Sequence, residues 1–254
     1  MKSNRIIIFV LIAIFFAVTV CAFFAVFTVK QVRVEFSSSF KTDDAEELSA
    51  SLQKYVGSNM FFIKYDSFIE DVEKYPYLEL EGIEKKYPNV ISVCVRERQE
   101  IYLFDHDDKT FVFTADGFVL SDGEAADDEG RLIRLSFEGD ITVKKVQVGE
   151  CLSTDADNDL ATAFELVKNV RLTDCIKNMT VIKNIEQTDV VFDTYTNVKI
   201  RIPKIDADGV NKVIKAFEFY DNEKSDFIKS SNEIRVDLLQ NGTLRVAWVS
   251  NDGE

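Results

Sequence analysis

The sequence predicts an α+β protein: an N-terminal transmembrane helix, a small domain in the order β-α-α-β-β, and a mixed α/β domain built mainly of short strands. Three observations carry this. Residues Ile6–Val29 contain no charge, Pro or Gly. From there to Arg98, apolar residues recur first at period two, then at helical spacing twice, then at period two again. Beyond Arg98, turn residues punctuate many short apolar runs, and only two longer stretches have helical spacing.

The apolar run comes first. As a helix, Ile6–Val29 is about 36 Å long at a rise of about 1.5 Å per residue, enough to cross a hydrocarbon core of about 30 Å with some tilt. It exceeds the apolar core of a cleaved secretory signal, about 7–15 residues. Cys21 follows the bulky Val18-Thr19-Val20, where a lipidation signal has small residues. Lys2 and Arg5 on one side balance Lys30 and Arg33 on the other, so charge sets no orientation. Size sets the expectation instead: residues 1–5 form a cytoplasmic tail, 6–29 a single type II span, and everything after it an extracytoplasmic ectodomain.

The chain has 254 residues, with 30 Lys and Arg against 44 Asp and Glu. Lys2, Arg5 and Lys30 lie in or beside the anchor, so the ectodomain is more acidic still. That disfavours both nucleic acid as a partner and electrostatic adhesion to anionic lipid. Clusters such as Asp122-Gly123-Glu124 and Asp127-Asp128-Glu129 read as solvated loops. Cys94, Cys151 and Cys175 are odd in number and lack metal-ligand spacing, so neither a disulfide framework nor a zinc site is expected; at most one bridge could form, and three free buried thiols are the favoured state.

Each element has its own signal. Val32–Phe36 alternates as a strand. Thr42-Asp43-Asp44 starts a helix with Ala45, Leu48, Leu52 and Val56 on one face, and Gly57 stops it. Asp66 or Ser67 starts a second helix with Phe68, Val72 and Tyr75 inward, ended by Pro76. Leu78–Tyr87 and Ile91–Arg98 form a hairpin across Pro88-Asn89. The next strands fall at Ile101–Phe104, Phe111–Thr114, Phe118–Leu120, Leu132–Phe137 and Ile141–Val148, with turns at Asp105–Asp108 and Ala115-Asp116-Gly117. A helix over Asp157–Arg171 presents Leu160, Phe164, Val167 and Val170. Strands follow at Met179–Ile182, Val190–Phe192 and Val198–Ile202. A helix over Asp208–Tyr220 turns Val210, Val213, Ile214 and Phe217 inward, and Ile234–Leu239 and Leu244–Val249 close the chain. The domains are therefore 30–99 and 100–250, with 251–254 a short tail.

The last hairpin permits a register prediction. A two-residue Asn241-Gly242 loop puts Ile234, Val236 and Leu238 on the face opposite Leu244, Val246 and Trp248, because a one-residue slip inverts every side chain. A three-residue loop, Gln240-Asn241-Gly242 with Gly242 left-handed, pairs Leu238 with Leu244, Val236 with Val246 and Ile234 with Trp248. The second arrangement is expected.

No constellation supports catalysis. His106 is the sole histidine, in an Asp-rich turn that reads as solvated. No serine or lysine sits in a nucleophile motif. Asp155-Ala156-Asp157-Asn158-Asp159 has Leu160 where a calcium loop needs Gly and Leu166 where it needs Glu, so the run reads as a helix cap. No Gly-rich phosphate loop occurs. No enzyme activity, cofactor or metal is expected.

One segment is specific enough to suggest a family. Pro76-Tyr77-Leu78 is a helix end of PYV type, Glu84-Lys85-Lys86 a basic strand, Lys86-Tyr87-Pro88-Asn89 a turn, and Val95-Arg96-Glu97-Arg98 a strand end. Together they resemble the POTRA domain of the bacterial division proteins DivIB and FtsQ, at the spacing of that family. Asp116-Gly117 and the closing Ile234-Arg235-Val236-Asp237-Leu238 agree in outline. The chain departs from the pattern at Phe36-Ser37-Ser38-Ser39, where the family often has a glycine, and in its brief cytoplasmic and C-terminal segments. The resemblance implies a non-enzymatic scaffold of the division septum that joins FtsL and DivIC (FtsB in the other branch), through which septal peptidoglycan synthases are controlled. It also implies docking on the C-terminal sheet edge, at Leu244, Arg245, Val246, Ala247 and Trp248 with Phe217 and Tyr220 of the neighbouring helix. Trp248 also reads as an ordinary core aromatic and Arg245 as a solvated residue. A second candidate surface is the edge of the POTRA-like domain together with the anchor stripe Phe9, Ile12, Phe16, Thr19 and Phe23, which lacks a G-x-x-x-G motif and reads first as an unspecific, lipid-facing anchor. The competing functions are an anchored cell-wall enzyme and a POTRA-bearing secretion component. The first needs convergent acids or a nucleophile, the second repeated units or a barrel.

Overall fold

A computed structural model describes residues 2–37, 44–123, 132–168, 175–206, 208–223, 232–239 and 243–250. It divides into two compact units, Met1–Arg98 and Gln99–Glu254. Mixed α+β structure with an N-terminal apolar helix is the observed class.

In the first unit, helix α1 (Lys2–Val26) includes Ile8–Val26, the one described helix long and apolar enough to cross a membrane. Val29, still within the apolar run, is already buried in the core of the domain that follows. Strand β1 (Gln31–Phe36), helices α2 (Asp44–Leu52) and α3 (Asp66–Val72), and strands β2 (Leu78–Lys86) and β3 (Val90–Glu97) come next. The sheet order is β1-β3-β2, with β1 parallel to β3 and β2 antiparallel to it. Leu48, Leu52, Met60, Phe68, Val72, Ile91, Val93 and Val95 form its core. Two details differ from expectation. The chain tightens into a 3-10 turn at Gln53–Tyr55, which swings Val56 out to the surface before Gly57 turns left-handed at φ +89°. Helix α3 ends at Val72 rather than at Pro76, and turns through Tyr75 lead into β2. The Thr42-Asp43 cap lies outside the described residues.

A buried carboxylate joins α3 to that 3-10 turn. Asp71 accepts from Lys54 Nζ at 2.6 Å, Lys74 Nζ at 2.7 Å and Tyr55 Oη at 2.7 Å. Burial alone raises its pKa, but the three donors outweigh burial and hold it at about 2. Burial and the Asp71 charge push the Tyr55 phenol up to about 12. A carboxyl depressed in the folded state contributes stability above its unfolded pKa, and that contribution is lost as pH falls through the folded one. The first domain is therefore expected to lose at most about 2 kcal/mol between about pH 4 and pH 2, the half-exposed lysines trimming the effect. Asp71→Asn should remove most of that acid sensitivity, read as the pH dependence of the denaturation midpoint.

The second unit contains β4 (Tyr102–His106), β5 (Lys109–Phe113), β6 (Val119–Asp122), β7 (Ile133–Gly139), β8 (Val143–Lys145), β9 (Ser153–Thr154), α4 (Asp157–Lys168), β10 (Ile176–Lys183), β11 (Thr188–Thr194), β12 (Lys199–Ile202), α5 (Gly209–Glu223), β13 (Asn232–Leu238) and β14 (Leu244–Ser250). Nine strands make one sheet in the order β14-β13-β12-β11-β10-β7-β4-β5-β6. The pairs β4–β7, β7–β10 and β12–β13 are parallel and the rest antiparallel. Leu160, Phe164 and Val167 of α4 and Val213, Ala216 and Phe217 of α5 join Tyr102, Ile133, Met179, Phe192, Ile200 and Ile234 in a single core. Val170 lies outside the described residues. At Gly117, φ is +82° and a Cβ would strike the Phe164 ring, so the Asp116-Gly117 turn requires glycine.

Several expectations are corrected. The run Ile141–Val148 supplies only the short β8, which pairs with β9 apart from the large sheet, because the Asp155 carboxylate takes the Thr142 N–H and Gly149 bends the chain at φ +87°. Ile214 is 38% exposed: it sits one residue past the inward Val213, at the edge of the helical stripe. His106 closes β4 rather than standing in a solvated turn, its ring stacked on Phe104 at 5.6 Å. The turn itself is Asp107-Asp108, both at positive φ. Cys94 and Cys175 are half-buried and Cys151 is exposed, so the expected burial of all three thiols does not hold.

Candidate functional site

The final hairpin defines the edge. Leu238 pairs with Leu244, Val236 with Val246 and Ile234 with Trp248, the register expected from a three-residue loop. The φ of Gly242 lies outside the described residues. Next to the loop, the Leu239 N–H donates to the Thr243 carbonyl at 2.9 Å, so Leu239 and Thr243 form a hydrogen-bonded pair. Such pairs alternate with non-bonded ones in an antiparallel ladder. Arg245, Ala247 and Val249 thus spend their backbone groups on β13. Leu244, Val246 and Trp248 turn theirs away from it, toward the outer rim. Strand β14 is terminal in the sheet, and among the described residues no strand pairs with that rim.

The side chains divide by parity. Leu244, Val246 and Trp248 pack partly buried against the core, and the Trp248 ring lies 5.7 Å from Phe219 of α5. Arg245 is exposed on the opposite face, across from Asp237, with half-buried Ala247 beside it. On that face a charge ladder runs inward: Arg235 to Glu233 at 3.4 Å, Glu233 to Arg201 at 3.1 Å, and Arg201 to Asp189 at 3.4 Å. Helix α5 lies over β12, β13 and β14. Its start is held by the buried Lys212, whose Nζ donates to the Pro203 and Lys204 carbonyls and to Asp206.

Of the residues expected at the docking surface, the five of β14 stand on the rim strand and the two of α5 do not reach the surface. Phe217 is 3% exposed and packs on Phe192 at 5.6 Å. Tyr220 is 4% exposed, its hydroxyl 2.6 Å from Thr196 Oγ1. Both hold α5 to the sheet. Phe219, half-buried and beside Trp248, is the aromatic of this helix that flanks the rim. Its position off the main apolar stripe was the available signal.

Other candidate groups resolve into local structure. Asp155 accepts from the Thr142 N–H, Asp157 from Thr154 N–H at 2.6 Å, and Asp159 from Thr188 Oγ1 at 2.7 Å, so the three carboxylates serve separate partners. The Thr154 N–H and the Ser153 hydroxyl lower the Asp157 pKa against partial desolvation. Among the described residues, no three His, Cys, Asp or Glu side chains converge as a metal site.

No family model matches the sequence. Two curated relatives are each called cell division protein DivIB. The one from Clostridium acetobutylicum is 25% identical over 62% of this chain and 62% of its own length. The one from Clostridium tetani is 26% identical over 82% of this chain and 76% of its own length. The likeness to these relatives supports a DivIB/FtsQ family member. A DivIB from Clostridium botulinum is 24% identical over 47% of this chain and 45% of that protein. Among solved structures, the major extracytoplasmic domain of DivIB from Geobacillus stearothermophilus aligns at a TM-score of 0.32 and 9% identity, over 51% of this chain and 97% of that one. The first of the Clostridium relatives is matched over less than two thirds of its length.

Proposed function

We propose that this protein is a bitopic cell-division scaffold, anchored by α1, whose ectodomain accepts a strand from FtsL-like and DivIC/FtsB-like partners and so helps control septal peptidoglycan synthases. In this reading 30–99 is a POTRA domain and 100–250 the β domain, the ectodomain is extracytoplasmic, and the chain is concentrated at the septum. It acts by binding and not by catalysis. The observation that carries the reading is the outer rim of β14, with which no strand pairs among the described residues and whose outward N–H and C=O groups form a template for β-augmentation. The names of the Clostridium relatives support the process. Deleting residues 234–254 is expected to abolish co-purification of the FtsL- and DivIC-type proteins from membranes while leaving the chain membrane-bound. Undiminished co-purification sinks the docking claim. Depletion should give filamentous cells, and a fluorescent fusion a mid-cell band.

A further inference from the structure

Helix α1 enters its domain without a linker. The Phe27 N–H donates to the Phe23 carbonyl at 3.1 Å and Thr28 Oγ1 to the Phe24 carbonyl at 2.7 Å, so helical bonding continues to the domain boundary. Thr28 then bridges to Asn59. Met60 N–H donates to the Phe27 carbonyl at 2.9 Å, Val29 N–H to Ser58 at 2.8 Å, and Gly57 N–H to Val29 at 2.9 Å. Residues 57–60 are thereby laced to residues 27–29, and the helix end and the domain move as one piece.

The same lacing projects a turn sideways. Asn59 accepts the Phe61 N–H on its side chain and the Phe62 N–H on its carbonyl, both at 3.0 Å. Met60 points into the core, and its carbonyl and that of Ile63 are braced by Lys85 Nζ at 2.9 and 3.2 Å. The two following rings lie along the helix. Phe61 is 5.2 Å from Phe23 and 4.9 Å from Phe27, while Phe62 stacks on Phe24 at 5.9 Å. Tyr87 closes the group, 5.7 Å from Phe61 and 6.1 Å from Phe27. Phe62 and Tyr87 nevertheless remain 70% and 59% exposed.

A scattered surface aromatic needs no explanation, but a contiguous cluster does. Here the cluster continues the apolar surface of Ile8–Val26, because Phe23 and Phe24 belong to both. A ring stacked on Phe24 shares its depth. Lipid around Phe24 must therefore reach Phe62, and aromatic side chains favour that level of a bilayer, where acyl chains meet headgroups. We propose that the Asn59–Phe62 turn and Tyr87 form a second membrane contact, an aromatic shoulder seated in the lipid interface beside α1. The domain then has a fixed attitude to the bilayer, since its core is tied to the same turn through Met60.

This inference rests on α1 spanning a membrane, and the test separates the two. Full-length chain with Trp248, the sole tryptophan, changed to Phe is reconstituted in phosphatidylcholine vesicles with or without lipid brominated near the headgroup or deep in the acyl chain. Single indoles are introduced by Phe16→Trp in the anchor, by Phe62→Trp and, separately, Tyr87→Trp in the shoulder, and by Phe36→Trp, roughly 17 Å away along β1. Deep bromine should quench Phe16→Trp. Shallow bromine should quench both shoulder variants several-fold more than Phe36→Trp. Quenching of Phe16→Trp with both shoulder variants at the Phe36→Trp level overturns the shoulder and leaves the anchor standing. An unquenched Phe16→Trp overturns both.

Discussion

Val246→Pro is expected to reduce partner capture by at least about tenfold while the second domain stays folded. The geometry isolates one atom. Val246 pairs with Val236 in a non-hydrogen-bonded position, so its N–H points out of the sheet and contributes nothing to the ladder with β13. Proline is tolerated at such a rim position but removes the donor that an incoming strand needs. The lost bond is worth about 0.5–1.5 kcal/mol net, and the ring obstructs the neighbouring bonds as well. Together these pass the 1.4 kcal/mol that corresponds to tenfold in affinity. Two controls separate backbone from side chain. Val246→Ala keeps the N–H and loses the packing, and should bind nearly as the parent does. Ala247→Pro removes a donor spent on Arg235 of the neighbouring strand, and should lower the melting temperature more than Val246→Pro. Pull-down with the ectodomains of the proposed partners, read beside circular dichroism, checks all three. Equal loss of binding in Val246→Ala and Val246→Pro contradicts a backbone template and points to side-chain recognition.

Phe192→Ala has the largest expected cost to stability, about 3–5 kcal/mol, a large part of what a domain has in total. Phe192 is fully buried in β11, pairs with Met179 on one side and Ile200 on the other, and meets Phe217 of α5 edge-on at 5.6 Å. Removing the ring leaves a cavity at the point where α5 is held to the sheet. Helix α5 also covers β14, so the damage should reach the rim through packing rather than through backbone chemistry. Trp248 lies at that rim against Phe219, and its fluorescence reports on it directly. In Phe192→Ala, tryptophan emission and circular dichroism should lose structure together at a lower denaturant midpoint. A parental midpoint would mean that Phe192 does not bear on the core as its burial implies.

The two substitutions reach the same surface by different routes, which shows how much of the edge was legible in the sequence. Register was legible because it follows from parity: Ile234, Val236, Leu244, Val246 and Trp248 bury together only if three residues turn the corner. The helical stripe through Val213 and Phe217 was legible for the same reason. What parity could not report was depth. Phe217 is on the inward stripe, but Tyr220 looks like any aromatic near the end of an amphipathic helix, and only the sheet beneath it and the Thr196 hydroxyl make it interior. His106 is a similar case, since the Phe104 ring that stacks on it is two residues away along a strand whose end the turn signals put too early.

The amino-acid order by itself determined the membrane-length anchor, the β-α-α-β-β succession, the Pro88-Asn89 hairpin and the pairing of the last two strands. Each depends on residues a few positions apart, where spacing and turn chemistry act directly. The tertiary structure alone decided that β7 lies between β4 and β10, that β14 is left at the end of nine strands, and that Phe62 rests on Phe24. Those contacts join residues far apart in the chain, and their energy comes from surfaces that exist only after the local elements have formed and packed.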